Sequence, residues 1–259
     1  MIYSDLHMHT TFCDGKNSAE EMVVSAIEKG LKTVGVCTHS YTDIDLSYCI
    51  KQEDIKVFQA EMARLKEKYK DKIKVLCGVE QDYLSNEPLT GFDYSIGSVH
   101  YFLHNGKRAD VDNSPKKFVE AVENIFDGDY YSACENYFSF VGKIIEKTNA
   151  DIIGHFDLVS KFNEGCVLFD DQHPRYIKAW QSAVDALIPY GKPFEINFGG
   201  ISRGYKKTPY PSIQMIEYIR DKGGKFCFSS DSHNKDNVAF GYKEWKDKIE
   251  AIINKGENE

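Results

Sequence analysis

A parallel α/β fold is predicted for this 259-residue chain by two observations. Short β-like runs alternate with amphipathic helical runs along its length. Histidines and carboxylates recur where those β-like runs stop, the position at which parallel α/β barrels gather their functional side chains.

The elements follow in order. The β-like runs are 2–6 (IYSDL), 33–38 (TVGVCT), 73–79 (IKVLCGV), 94–99 (YSIGSV), 151–154 (DIIG), 193–197 (PFEIN) and 225–230 (KFCFSS). Several are rich in β-branched or aromatic residues and end at polar or Gly-containing turns. After the first run, Ser18-Ala19-Glu20-Glu21 reads as a capping box that opens a helix, and Gly30 is placed to end it. Within 53–69, Ile55, Phe58, Met62, Leu65 and Tyr69 recur at spacings of 3, 4, 3 and 4, which is one face of a helix. Further helices are predicted near 115–126, 131–148, 172–189, 211–222 and 242–254. The segment 80–100 is too short for a crossover helix, so one connection there is expected to be irregular.

Composition bounds the function. The chain is 42% apolar and 28% charged, with a net charge of −8, values of a globular protein without the basic footprint of a nucleic-acid binder. No run approaches the ~18 apolar residues of a membrane span. The N-terminus lacks a basic region followed by an apolar core, so no signal peptide is expected. Seven cysteines, an odd number with no CxxC pair, argue against a disulfide framework and suit a reducing cytoplasm. The whole of 1–259 is read as one domain, and its oligomeric state is left open.

Six of the eight histidines fall at or just past the end of a β-like run: His7, His9, His39, His100, His155 and His233. Glu80 and Asp231 do the same. His7 and His9 stand two apart on a strand and so face one side. Imidazoles joined by Glu80 and Asp231 make a set of nitrogen and oxygen donors that suits Zn, Fe or Mn. His104, in a polar Leu103–Gly106 loop, and His173, beside Pro174 at a helix start, are read as surface residues. Phe12, Tyr41, Tyr101, Phe102, Phe156 and Phe162 flank the motifs and are read first as core packing.

The ordered set Asp5-Leu6-His7-Met8-His9-Thr10, Thr38-His39, Gly78-Val79-Glu80, Ser98-Val99-His100, Gly154-His155-Phe156-Asp157 and Ser230-Asp231-Ser232-His233 resembles the motifs of the PHP (polymerase and histidinol phosphatase) family. The resemblance runs from residue 5 to residue 233. Glu195–Gly204 followed by Pro209-Tyr210-Pro211-Ser212 looks like the histidinol-phosphatase branch. The resemblance implies a distorted (β/α)7 TIM-like barrel with its active site at the C-terminal strand ends and three divalent metal ions. His7, His9, Glu80 and Asp231 would hold one ion, Glu80 with His100 and His155 a second, and Asp14, His39 and His233 a third. Asp14-Gly15 also reads as an ordinary turn.

The implied reaction is hydrolysis of L-histidinol phosphate, a small phosphate ester, to L-histidinol and phosphate by attack of a metal-bridging hydroxide. Glu80 would bridge the metals, and Asp231 or His233 would protonate the leaving group. Arg203 and Lys161, in loops after strand ends, are the candidates to grip phosphate, because fixed cations match its charge; Lys206 and Lys207 are read as surface. Other small phosphate esters or nucleotides are the enzymatic alternative. An exonuclease would want a basic strand-binding groove, and a non-catalytic metal-binding module would be expected to have lost donors.

Overall fold

The computed structural model describes residues 4–255. In chain order the strands are β1 (Ser4–Asp5), β2 (Thr33–Val36), β3 (Lys74–Asp82), β4 (Tyr94–Ser98), β5 (Tyr101–His104), β6 (Lys107–Asp110), β7 (Ile152–Ile153), β8 (Pro193–Asn197) and β9 (Lys225–Ser229). The helices are α1 (Ala19–Glu28), α2 (Ile55–Tyr69), α3 (Pro115–Phe126), α4 (Tyr130–Val141), α5 (Ile144–Thr148), α6 (Pro174–Leu187), α7 (Gly199–Ser202), α8 (Ile213–Asp221) and α9 (Tyr242–Ile253). Residues 2 and 3 of the first predicted strand lie outside the described residues.

All seven predicted strands lie in one parallel sheet of order β1-β2-β3-β4-β7-β8-β9. The sheet curls until its two edge strands meet. Met8 and Ser232 form a parallel bridge, and the His9 amide donates to the Ser232 carbonyl at 2.7 Å. Asp5 tightens this seam: its buried carboxylate accepts from the Ser230 amide at 3.0 Å, the Ser230 hydroxyl and the Ala239 amide at 2.9 Å. The result is a nearly closed seven-stranded barrel, the distorted (β/α)7 architecture expected. Inside it, Gly35 and Gly78 leave the space that the Tyr94 ring fills; a Cβ at either would lie 2.2 or 2.4 Å from the Tyr94 ring or hydroxyl. The Tyr94 hydroxyl donates to the Leu6 carbonyl at 2.5 Å, joining β4 to the end of β1.

The helices shield the outer face. α1 begins with the predicted capping box: the Glu21 amide donates to Ser18 Oγ at 3.3 Å and Glu21 Oε2 accepts from the Ser18 amide at 2.9 Å. Gly30 follows its end with φ +77°, a conformation costly for any residue with a Cβ. α2 buries Phe58, Met62, Leu65 and Tyr69, four of the five residues predicted for its apolar face. With Met22 and Val23 of α1 they pack on β2 and β3. A second cluster joins α3, α4 and α6 to the opposite wall through Phe118, Tyr137, Phe138, Trp180 and Phe194. Full burial of each such side chain contributes roughly 1.5–3 kcal/mol.

Two local expectations are corrected. The helix predicted over 131–148 is two helices, α4 and α5, because the chain breaks at Gly142-Lys143. His104 lies in no loop but at the end of β5, in a two-stranded antiparallel hairpin with β6. Asn105 and Gly106 turn that hairpin with φ +50° and +75°, the conformation a tight two-residue turn demands. The 80–100 connection is irregular as expected, because β3 runs on to Asp82 and no helix lies between it and β4. His173 caps α6, its Nδ1 accepting from the Arg175 amide at 3.2 Å while its ring stacks on Tyr131.

Candidate metal centre

The nine side chains singled out as metal donors converge at the C-terminal mouth of the barrel. His7 and His9 leave β1 on one side while Met8, between them, points into the core under α1 and α2. Asp14 follows a tight turn in which the Cys13 and Gly15 amides both donate to the Thr10 carbonyl, at 2.9 and 3.0 Å. A Cβ at Gly15 would lie 2.4 Å from the backbone of His9 and Thr10, so only glycine lets the turn close. His39 follows β2 and is locked to β3 by the Glu80 amide donating to the Thr38 carbonyl and the Ser40 amide to the Glu80 carbonyl, both at 2.9 Å. His100 and His155 follow β4 and β7. Asp231 follows β9 with φ +50°, a left-handed bend that aims its carboxylate into the mouth.

Glu80 is the hub. Its Oε2 lies 2.9 Å from His39 Nδ1, 3.2 Å from His7 Nε2 and 3.3 Å from His9 Nε2. Its Oε1 lies 2.8 Å from His155 Nε2 and 3.3 Å from His100 Nε2. Asp14 reaches His233 Nε2 at 3.2 Å and His39 Nε2 at 3.5 Å. Asp231 Oδ1 lies 3.7 Å from His9 and 3.8 Å from His7. Three donor sets each gather within 4.8 Å: His7–His9–Glu80, His39–Glu80–His100 and His9–Asp14–His39–His233. This grouping differs from the one the sequence resemblance implied, since His9 also joins the outer set. Its ring is stacked between those of His39 and His233, at 4.1 and 4.3 Å.

The cluster fits divalent cations. His7 Nδ1 contacts Glu195 Oε1 at 2.6 Å, so the proton sits there and the Nε2 lone pair faces Glu80 and His9. His100 Nδ1 contacts Asp82 Oδ2 at 3.0 Å, which likewise turns its Nε2 lone pair toward Glu80. Buried lone pairs aimed at a buried carboxylate oxygen need a cation between them. Glu80 Oε2, buried and without a hydrogen-bond partner, carries the same demand.

The electrostatics agree. Against the cost of burial, His7, His39 and His100 hold the Glu80 carboxyl well below the usual range, and Arg203, His7 and His233 do the same for Asp231. His39 and His233 overcome burial to lower Asp14. Burial, together with the neighbouring His39 and His233, pushes His9 down to about 3. His7 and His100 are raised instead, burial being outweighed by Glu195 and Glu80 for the first and by Glu80 and Asp82 for the second.

The cluster floors a cleft of about 560 Å³ whose wall includes both predicted phosphate grips. Arg203, at the end of α7, directs Nη2 to Asp231 Oδ2 at 2.8 Å and Nη1 to the Asp231 carbonyl at 3.1 Å. Lys161, almost fully buried, places Nζ 2.8 Å from the Asp112 carbonyl and 3.1 Å from its Oδ2. Lys206 departs from its expected surface place: only 11% of its side chain is exposed, with Nζ 3.3 Å from Ser160 Oγ. Lys207 is exposed as expected. Of the flanking aromatics, Tyr101 lines the cleft, whereas Phe102, Phe156 and Phe162 belong to the core.

Sequence reasoning missed several residues here. Tyr48 packs edge-on against His39 at 5.0 Å and meets the Tyr101 hydroxyl at 3.0 Å. Asp45, Asp110 and Asp112 line the same wall. Glu195 and Asp82 stand behind His7 and His100. Glu195 ends no strand and has no motif spacing to His7; an acidic residue in the middle of the 193–197 strand was the available signal.

Comparison with known proteins places this geometry. A histidinol-phosphatase of Bacillus subtilis is 24% identical, aligned over 92% of this chain and 96% of its own length. A crystal structure of HisK from Listeria monocytogenes superposes with a TM-score of 0.82 at 22% identity, covering 93% of this chain and 99% of that one. Histidinol phosphate phosphatase from Lactococcus lactis, crystallised with Zn, L-histidinol and phosphate, gives a TM-score of 0.66 at 19% identity, covering 98% of this chain and 93% of that one. The sequence pattern of the PHP domain matches residues 5–198, and this chain belongs to the PHP domain family.

Proposed function

We propose that this chain hydrolyses L-histidinol phosphate to L-histidinol and phosphate, as a metal-dependent phosphomonoesterase, with 1–259 acting as one catalytic unit. The carrying observation is the convergence of five imidazoles on Glu80, with Asp14, Asp231 and His233 beside them, at the floor of a cleft walled by Arg203 and Lys161. The full-length likeness to a histidinol-phosphatase, and to a fold crystallised with Zn, L-histidinol and phosphate, supports this substrate over a nucleotide. Three divalent ions, of Zn, Fe or Mn, are the proposed complement: His7, His9, Glu80 and Asp231 around one, Glu80, His100 and His155 around another, and Asp14, His39 and His233 around the third. Seven unpaired cysteines support a cytoplasmic setting, and among the described residues no helix is long and apolar enough to cross a membrane.

Divalent ions held here would supply Lewis acidity that lowers the pKa of water and offsets charge on the phosphoryl oxygens. The chain's own residues do the rest. Arg203 presents a planar fork to two phosphate oxygens, and Lys161 a point charge from the opposite loop. Water attacks phosphorus in line, the P–O bond to histidinol breaks, and the alkoxide takes a proton. The pair with Arg203 keeps Asp231 ionised, so its carboxylate can accept the proton that water loses and pass it to the departing alkoxide, whereas His233 is engaged by Asp14 and Arg203 at its two nitrogens.

The test is phosphate release from the metal-loaded protein with L-histidinol phosphate against nucleotides, sugar phosphates and a chromogenic ester. A kcat/KM at least ~100-fold higher for histidinol phosphate, about 2.7 kcal/mol of discrimination, is expected. Flat or nucleotide-favouring rates would overturn the substrate while leaving the metal reading intact.

A further inference from the structure

We propose that Glu195 is a positioning residue of the metal centre, whose one carboxylate fixes the ring of His7, seats His155 and ties both to the loop that carries Arg203. The inference rests on the reading of the cluster as a metal site.

Glu195 lies on β8 and is 1% exposed. Oε1 accepts from His7 Nδ1 at 2.6 Å. Oε2 accepts from the His155 amide at 3.0 Å and from Asn197 Nδ2 at 3.1 Å. One side chain thus receives three donors from three strand ends, β1, β7 and β8. Asn197 is oriented in turn, because its Oδ1 accepts from the Gly199 amide at 2.8 Å. Gly199 opens α7 and packs against Arg203 and Asp231. A continuous polar chain therefore runs from the phosphate-facing helix through Asn197 and Glu195 to two imidazole-bearing strands.

The carboxylate does more than fill space. Donating Nδ1–H to an anion fixes the tautomer that leaves Nε2 free and makes that nitrogen a stronger base. The other imidazoles show how selective this is. His9 Nδ1 faces only the Cys13 thiol, at 3.5 Å, and the buried His155 Nδ1 has no partner among the described residues. Of the four imidazoles that turn Nε2 to Glu80, His7, through Glu195, and His100, through Asp82, have a carboxylate on Nδ1, whereas His39 turns Nδ1 to Glu80 and has Asp14 at Nε2. A glutamine at 195 has one acceptor oxygen for three donors, and its amide protons would oppose either His7 Nδ1–H or the His155 and Asn197 donors.

The experiment compares full-length wild type with Glu195→Gln. Zinc affinity is measured by competition with a chromophoric chelator, and coordination by the visible spectrum of the cobalt-loaded proteins. Glu195→Gln is expected to bind zinc about 10–100-fold more weakly, with a shifted cobalt spectrum. Its kcat is expected to fall about tenfold or more while KM for the phosphate ester stays within about threefold. Wild-type zinc affinity together with a wild-type cobalt spectrum would overturn the proposal, whatever the activity. Should Glu195→Gln fail to fold, Asn197→Ala keeps the charge but removes one of the two donors to Oε2 and cuts the link to Gly199. It is then expected to weaken zinc about threefold and to raise KM, and no change in either would overturn the proposal. A wild-type protein that binds no zinc, manganese or cobalt would instead defeat the metal reading on which the inference rests.

Discussion

Arg203 Nη2 lies 2.8 Å from Asp231 Oδ2, and the two groups can meet only because residue 199 has no side chain. A Cβ there would sit 2.4 Å from both atoms, closer than any real contact. Gly199→Ala is therefore expected to force the guanidinium and carboxylate apart. Steady-state kinetics should show kcat/KM lower by about tenfold or more, equivalent to ~1.4 kcal/mol. Unaltered kinetics would show that this pairing is dispensable.

Arg203→Ala removes the planar cation without touching a metal donor. A loss of about 10²–10³-fold in kcat is expected, the usual effect of deleting a group that stabilises developing charge. Elemental analysis of the variant should match wild type; a parallel loss of metal would reassign Arg203 to holding Asp231 in place.

Lys161 shares its ammonium between Asp112 and the cleft. Lys161→Met should weaken competitive inhibition by inorganic phosphate about tenfold, or ~1.4 kcal/mol. Equal inhibition of both proteins would confine Lys161 to its structural pair with Asp112.

Glu80 offers two oxygens to five imidazoles. Glu80→Gln has only one carboxamide oxygen to give and loses the charge that balances the ions. Bound metal should drop, and activity should fall by about 10³-fold or more, with the far-ultraviolet circular dichroism preserved. Chelation of wild type should reproduce this loss, and added Zn or Mn should reverse it.

Burial pushes the Asp157 carboxyl up to about 6, the nearby Lys206 offsetting only part of the cost. The folded state thus holds this proton more tightly than the unfolded chain, whose aspartates titrate near 4. Stability from the protonated group is full below pH ~4 and is lost as pH rises to about 6, a span of at most about 3 kcal/mol. Asp157→Asn should remove that dependence. Urea unfolding of both proteins in chelator should show the variant's relative stability growing from pH 4 to 6 and then levelling; a constant difference would place the Asp157 pKa near its ordinary value.

The seven strands could be read in the chain, and so could the convergence of the nine candidate donors, because all of them but Asp14 belong to short local motifs at strand ends. Glu195 and Asp82 could not. The atom that gives Glu195 its meaning, His7 Nδ1, is 188 residues away, and only closure of the barrel brings them together. Tyr48 and Asp112 likewise gain their place from loops that meet over the mouth. The β5–β6 hairpin escaped notice because its strands, Tyr-Phe-Leu-His and Lys-Arg-Ala-Asp, do not alternate apolar and polar residues, although Asn105-Gly106 was a turn signal. The break between α4 and α5 was hidden by apolar residues that keep helical spacing across Gly142.

The bridge between Met8 and Ser232 also governs how the protein comes into being. During synthesis, His7, His9, Asp14 and His39 leave the ribosome long before Asp231 and His233, and β1 has no partner on its outer edge until β9 emerges. A nascent chain stopped before residue 231 exposes an unpaired strand and an incomplete set of donors, so activity arrives in one step, with the last strand. Such reliance on distant pairing favours slow folding and a need for protection of that early edge.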